Sequence, residues 1–323
     1  MRLSRQIAFA LFVISLTALP MVASNTGGFQ RTLQVSGPID IDLSSGSGNV
    51  NVHTGGSGAV VIVARIRSQY SWFAGDVDER IRRIEQNPPI EQVGSRIRVG
   101  RFEDRDLQRN LSIDYDLTVP PQTRLTTRTG SGDQSISGVQ LSLSTSSGSG
   151  NVAIESVGGD VRISTGSGDV RASSIKGALA AEAGSGNIRA TGVGGSVTAR
   201  AGSGDIDVQQ VSGGDARVDT GSGNVTLRGI KGGVRVQTGS GDIRLEGEPA
   251  NDWHVSAGSG SIDLRLPSQA SFNLDARTSS GNLTVHRSVT MQGTVSRNHV
   301  TGKVGSGGVL VDLHTGSGNI ELN

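Results

Sequence analysis

Between Gly130 and Ala257 apolar residues fall at alternate positions in short runs, and glycine-rich breaks separate the runs. In the unit from Gly166 to Ala183, Val170 and Ala172 alternate with polar residues, Ile175 follows at a bend, and Gly177 breaks the pattern. Leu179 and Ala181 then alternate again. The unit from Gly221 places Val225, Leu227, Ile230, Gly232, Val234 and Val236 at the same steps. Period two with one apolar face predicts two half-buried strands per unit.

The breaks are themselves a repeat. Gly-Ser-Gly-Asp or Gly-Ser-Gly-Asn begins at Gly130, Gly148, Gly166, Gly184, Gly202, Gly221 and Gly239, at intervals of 18 residues with an occasional 19. A worn copy begins at Gly258 and an early one at Gly46. Two strands per 18 residues and tight turns predict an all-β chain: a single β-solenoid of the β-helix or β-roll kind, its coils stacked about 4.8 Å apart. Roughly ten coils give a rod on the order of 50 Å. A lone coil cannot fold, because five or six small aliphatics do not offset the backbone entropy of the whole unit, so neighbours must stack.

The pattern changes at both ends. Residues 25–34 read as a short polar leader ahead of a solenoid domain at 35–323. Ile39, Ile41 and Leu43 alternate with Asp40 and Asp42, and Ala59 to Ile66 is a longer apolar strand. Residues 67–125 interrupt the repeat and read as a capping insertion. Val77, Ile81 and Ile84 share one helical face, which predicts one short α-helix near 76–87. Acidic residues at its start and arginines later suit the helix dipole, and Pro88-Pro89 ends it. Strands follow at Arg96 to Phe102 and Leu111 to Val119. Residues 130–257 are the regular coils; 258–323 are irregular coils and a C-terminal cap. Trp72 and Trp253 both read as lying outside the regular coils.

Composition narrows the class. Glycine supplies 48 of 323 residues and aromatics 3%, so a conventional aromatic core is excluded, while regular Val, Ile and Leu exclude disorder. Residues 1–24 carry Arg2 and Arg5, an apolar run from Ile7 to Leu19, and small residues after Pro20. They read as a secretory signal peptide, with a retained anchor as the other reading. Its removal leaves 28 basic against 29 acidic side chains, so no nucleic-acid partner is expected. There is no cysteine, hence no disulfide framework. No second apolar run reaches membrane length, so no transmembrane span is expected after signal removal.

Candidate chemistry is sparse. Glycines flanking the corner serine suggest positive φ, and the following Asp or Asn suggests an Asx-turn on local backbone. That position alternates strictly: Asp133, Asn151, Asp169, Asn187, Asp205, Asn224, Asp242. Alternation keeps stacked carboxylates apart and suggests growth by duplicating two coils. Calcium is the ligand reading of such a turn, but the second half of each unit has no matching Asp and alternate coils offer only Asn. No metal or cofactor site is therefore expected. His53, His254, His286, His299 and His314 show no metal spacing, and no serine sits in a nucleophile elbow. Asp40 with Asp42, and Asp205 with Asp207, are paired carboxylates on strand faces. Arg171, Arg189 and Arg244 share one outward place, and Arg162, Arg217 and Arg235 another; either a solvated face or a contact to an anionic polymer fits.

Taken together, Leu111-Ser-Ile-Asp-Tyr-Asp-Leu-Thr-Val-Pro120, Thr129-Gly-Ser-Gly-Asp133, the repeated turn, and the ending Asp252-Trp253, Leu266-Pro267, Thr278-Ser-Ser-Gly-Asn282 and Thr315-Gly-Ser-Gly-Asn-Ile320 resemble the bacterial putative-adhesin domain family of unknown function, DUF4097. The resemblance covers about residues 35–323. It implies a β-solenoid in an envelope or secreted protein and brings no catalytic residues. The expected function is an exported, non-enzymatic scaffold of the cell envelope, periplasmic, cell-surface or secreted. Its partner would be an envelope component or polymer, or another protein. A polysaccharide-acting β-helix enzyme and an envelope-stress-linked regulator are the alternatives.

Overall fold

The computed structural model describes residues 26–68 and 74–323. Residues 1–24, expected from the sequence to be a signal peptide, and Trp72 lie outside the described residues. Two long sheets, of 14 and 15 strands, run side by side along the rod, and each regular coil gives one strand to each. In the unit from Gly166, Val170–Ile175 joins the first sheet and Leu179–Ala183 the second. The fold is the predicted β-solenoid.

Neighbouring coils pair in parallel and in register. Val152, Val170, Ile188, Ile206, Val225, Ile243, Ile262 and Ile320 form one buried row. Leu125, Leu143, Val161, Leu179, Val197, Ala216, Val234, Trp253 and Val311 form the facing one. A period-two pattern repeated every coil leaves no alternative register without turning the apolar face outward. Trp253 thus belongs to the stack, contrary to the sequence expectation. It is fully buried, and its indole N–H donates to the Gly232 carbonyl at 2.9 Å.

One coil departs from the aliphatic rule. The register shifts after Thr191, and Gln210 takes the inward place opposite Val193. It is 3% exposed, and its amide N–H donates to the Gly195 carbonyl at 2.8 Å.

The first coil, Ile39–Ser47 and Val50–Thr54, stacks directly beneath the coil that begins at Thr123. The insertion between them caps both sheets. Leu111–Val119 pairs with Val50–Thr54 in the first sheet and, antiparallel, with Ala59–Ser68. Arg96–Val99 pairs with Asp40–Leu43 in the second. Its helix is Ala74–Gln86, with Val77, Ile81 and Ile84 buried as the periodicity requires. Residues 26–34 are not a leader: Thr26–Gln34 is an edge strand antiparallel to Ala59–Ser68. Its polar character follows from its place, since only Phe29 is buried. Gly27 has no side chain where the helix residues Ile81 and Glu85 approach, and the Gly28 N–H donates to the Glu85 carboxylate at 2.8 Å.

The C-terminal coils do not stack in chain order. Leu310–Ser317 and Ile320–Leu322, the last strands of the chain, lie between the coil of Trp253–Ser259 and Ile262–Arg265 and the coil of Phe272–Ser280 and Leu283–Val285. The reason is geometric. His299–Val304 folds back antiparallel over the outer edge of Phe272–Ser280, so only the inner edge is left for a parallel strand. Among the described residues no helix is long and apolar enough to cross a membrane.

Candidate functional site

The corners come first, because they are the most repeated chemistry. The Asp or Asn carboxamide or carboxylate oxygen reaches the next coil rather than its own backbone. Asn151 N–H donates to Asp133 Oδ1 at 2.8 Å, Asp169 N–H to Asn151 Oδ1 at 3.0 Å, Asn187 N–H to Asp169 Oδ1 at 3.0 Å, and Asp205 N–H to Asn187 Oδ1 at 2.9 Å. The same bond continues through Asn224, Asp242 and Ser261. Each Asn also donates its side-chain N–H to the Asp of the preceding coil, at 3.2 Å for Asn151, Asn187 and Asn224. The expected Asx-turn is therefore an intercoil staple, and the alternation supplies a donor beside every carboxylate. The second turn carries staples that sequence reading missed: Asp160 accepts from Ala178 N–H at 2.9 Å and Asp215 from Gly233 N–H at 2.7 Å.

The expected positive φ holds at the corner glycines Gly48, Gly241, Gly260 and Gly318, and the others have a different reason. Gly132, Gly150, Gly168, Gly186, Gly204 and Gly223 have no left-handed φ. A Cβ on any of them would sit inside the van der Waals shell of the carbonyl oxygen of the equivalent glycine one coil back. Coil spacing, set by the strand ladder, excludes a side chain there.

These corners are poor calcium ligands. Their carboxylates stand two coils apart, with an engaged Asn between, and a cation of this kind wants six or more oxygens. Among the described residues no group of three or more His, Cys, Asp or Glu is placed to hold a metal. Asn187→Asp tests the staple. It puts three carboxylates in a row and removes a donor, costing about 1–2 kcal/mol at neutral pH from two like-charge contacts of about 0.9 kcal/mol each. Repulsion raises the carboxylate pKa values in the folded state. The loss is thus full at neutral pH and shrinks as pH falls through the carboxylate range near 4. Thermal melts at both pH values check this; equal losses would refute it.

Most of the arginines in the two rows are neutralised. Arg171 and Arg189 are cross-strand neighbours, but Asp207 and Thr226 separate them from Arg244. Arg171 pairs with Asp169 at 3.2 Å, Arg189 with Asp207 at 3.5 Å, and Arg244 with Asp263 at 3.2 Å. Arg162 reaches Glu182 at 3.8 Å, and Arg217 reaches Asp219 at 3.5 Å. Arg235 stands beside Arg217 in the second row. A shallow hollow of about 370 Å³ lies beside Arg171 and Arg189 on the outer face of the first sheet, bordered by Ser135, Ser137, Glu155 and Thr191. The paired carboxylates are also engaged: Asp40 with Arg124 at 2.8 Å, Asp42 with Arg128 at 2.7 Å, Asp207 with Arg228 at 2.7 Å, and Asp205 in the corner staple.

The inserted final coil assembles a patch that spacing along the chain conceals. His254 lies opposite Asp312, and Asp312 opposite Asp275. His254 Nδ1 is 3.4 Å from Asp312, and His299 Nε2 is 3.0 Å from Asp275. His53 pairs with Asp116 at 3.5 Å and His286 with Glu321 at 3.3 Å. Arg287 ends the first sheet by donating to the carbonyls of Pro267 at 2.7 Å, Asn323 at 2.8 Å and Leu266. Burial moves its guanidinium below the ordinary value.

The insertion holds a small, partly open polar cavity. It measures about 120 Å³ and is lined by Ser44–Ser47 of the first corner, Phe102, Gln108, Asn110 and the strand residues Leu111, Ile113 and Tyr115. Tyr115 is 1% exposed, and its hydroxyl has no hydrogen-bond partner. Burial pushes its pKa well above the ordinary value, so the hydroxyl stays protonated. In the sequence Tyr115 is an inward residue of an alternating strand and part of the segment that carries the family resemblance.

No curated protein sequence matches this chain. A solved structure of a putative cell adhesion protein from Clostridium sporogenes covers 92% of this chain and 99% of its own, at 10% identity and a TM-score of 0.20. The family model described as Toastrack DUF4097 matches residues 39–209 and again 178–323. Those two overlapping matches take in the first coil, the capping insertion, the stapled corners and the inserted last coil: the chain belongs to the Toastrack DUF4097 family.

Proposed function

We propose that this chain is an exported, non-enzymatic interaction scaffold of the bacterial cell envelope, adhesive in the broad sense, whose partner is an envelope component or polymer, or another protein. The observation that supports it is the in-register repetition of outward side chains, such as Arg171 beside Arg189 and Arg217 beside Arg235. Outward side chains that line up from one coil to the next suit a partner that repeats as well. Most of the outward arginines are already paired with carboxylates, so any contact draws on neutral polar groups and on the two ends more than on net charge. The first 24 residues carry the features of an export signal.

Fractionation of the native host, followed by binding of the exported chain to isolated envelope and its purified polymers, tests the reading. The protein is expected in the periplasm, on the surface or in the medium, and is expected to be retained by at least one envelope fraction. A cytoplasmic location, or retention by none, would count against it.

A further inference from the structure

Gln210 and Val211 stand in each other's place. Five residues on from the first inward residue of its strand, each of five coils carries a buried aliphatic: Val139 after Gln134, Val157 after Val152, Ile175 after Val170, Val193 after Ile188 and Ile230 after Val225. The same count from Ile206 reaches Val211, yet Val211 is 63% exposed and Gln210 is buried. The Val211 N–H donates to the Val193 carbonyl at 3.0 Å. In other coils that bond comes from the residue just past the inward one, as from Lys176 to Val157 and from Gly194 to Ile175. The strand has slipped by one residue.

The cause lies one residue before the aliphatic. In the five coils that residue is left-handed: Gly138 at φ 82°, Ser156 and Ser174 at 57°, Gly192 at 70° and Gly229 at 72°. This bulge turns the next side chain inward. Here the place belongs to Gln210, whose φ is not positive. A long side chain enters the left-handed region at a cost that glycine does not bear, so the strand runs straight on and Gln210 goes in. The slipped register has faults of its own. A valine is left in water, and the buried Gln210 Oε1 has no hydrogen-bond partner. The turn also carries slack. From the inward residue to the next strand is four positions for Val157 to Val161, Ile175 to Leu179 and Val193 to Val197, but six for Gln210 to Ala216. Moving Val211 inward would shorten it to five. Gly213, within the turn, has nothing nearer than the Lys231 side chain at 4.0 Å.

Each register removes one fault and keeps another. We propose that this coil is a register switch, in which strand and turn exchange one residue so that Gln210 and Val211 trade places between core and surface. In the second register Val211 joins the buried row of Val193 and Ile230, Gln210 turns outward in a left-handed bulge, and the Ser212 N–H takes over the bond to the Val193 carbonyl. The exchange shows or hides one apolar side chain on the second-turn edge of the rod. It leaves the stapled corners alone, because the bonds of Asp205 to Asn187 and Asn224 lie at the other turn. A molecule that covers Val211 would favour the slipped register, so contact at this edge and register are coupled. The switch does not depend on the scaffold reading.

NMR relaxation dispersion on the exported chain tests it first. Exchange is expected at residues 209–215 and at their neighbours Val193 and Ile230, with a minor register populated at about 1–10%. Gln210→Val is expected to abolish that exchange and to melt at or above the wild-type temperature, because a β-branched residue avoids the left-handed region and holds the slipped register. Gln210→Gly is expected to move Val211 inward. The chain has no cysteine, so Val211→Cys supplies a single thiol to report the move. With maleimide, Cys at 211 is expected to react as an exposed thiol beside Gln210→Val, and at least about tenfold more slowly beside Gln210→Gly, where reaction waits on local opening. Flat dispersion across 209–215 in the wild type would overturn the proposal, and so would equal labelling in the two backgrounds. The wild-type measurement decides even if a variant fails to fold.

Discussion

Gly186→Val is expected to destabilise the protein by at least about 3 kcal/mol, the upper end for forcing extra carbons into packed structure. The position lies mid-rod, and its Cβ would drive into the Gly168 carbonyl and the start of Asp169. No side-chain rotation relieves a clash with backbone. The coils must separate locally, and with them the ladder bonds and the Asn187 staple to Asp169. A fall in Tm on the order of 10 °C follows from the usual relation between stability and melting temperature. Gly213→Ala is the control, because its nearest neighbour is the Lys231 side chain at 4.0 Å. A surface change of that kind stays within about 0.5 kcal/mol. Equal melting of both variants would show that coil spacing is not what the corner glycines protect.

Deleting residues 310–323 is expected to cost far more than trimming the end of a sequential stack. In a sequential solenoid the last coil leaves one new face. Here the final coil lies inside, against Trp253–Ser259 on one side and Phe272–Ser280 on the other, so its loss uncovers two. Trp253 loses Val311, and Leu274 loses the same partner. Arg287 loses the Asn323 carbonyl. Hydrogen exchange should show protection lost across both 253–265 and 272–285, with the coils from 143 to 210 unchanged. Protection retained in 272–285 would mean that this coil had closed up on the one before it, and that the inserted order is not required.

What the sequence displays clearly is whatever repeats or alternates. Val170, Ala172, Leu179 and Ala181 point inward as period two requires, and the helix lies where Val77, Ile81 and Ile84 place it. What it conceals depends on contacts between distant residues. The role of the corner Asp and Asn is an intercoil bond, invisible until coil spacing is known. Residues 26–34 look like a leader because an edge strand with one exposed face has no clear alternation. Trp253 looks misplaced only because an indole stands where neighbouring coils carry valine. The cavity at Tyr115 joins residues from 44 to 115 across an insertion, and the His254–Asp312 contact spans 58 residues. No local spacing signals either.

The rod's ends bear on whether rods join. A parallel coil with bare edges would accept another molecule's coil, and that one a third, until a fibre formed. Of the four sheet ends, three finish on strands running antiparallel to their neighbours: Thr26–Gln34, Ile90–Val93 and Val289–Ser296. None of the three belongs to the 18-residue repeat, so a further coil would meet a strand without the repeat's corners and inward rows. The fourth, Leu283–Val285, is parallel but three residues long, and Arg287 sits just past it. A repeat that could stack without limit is thereby closed at both ends by strands from outside it.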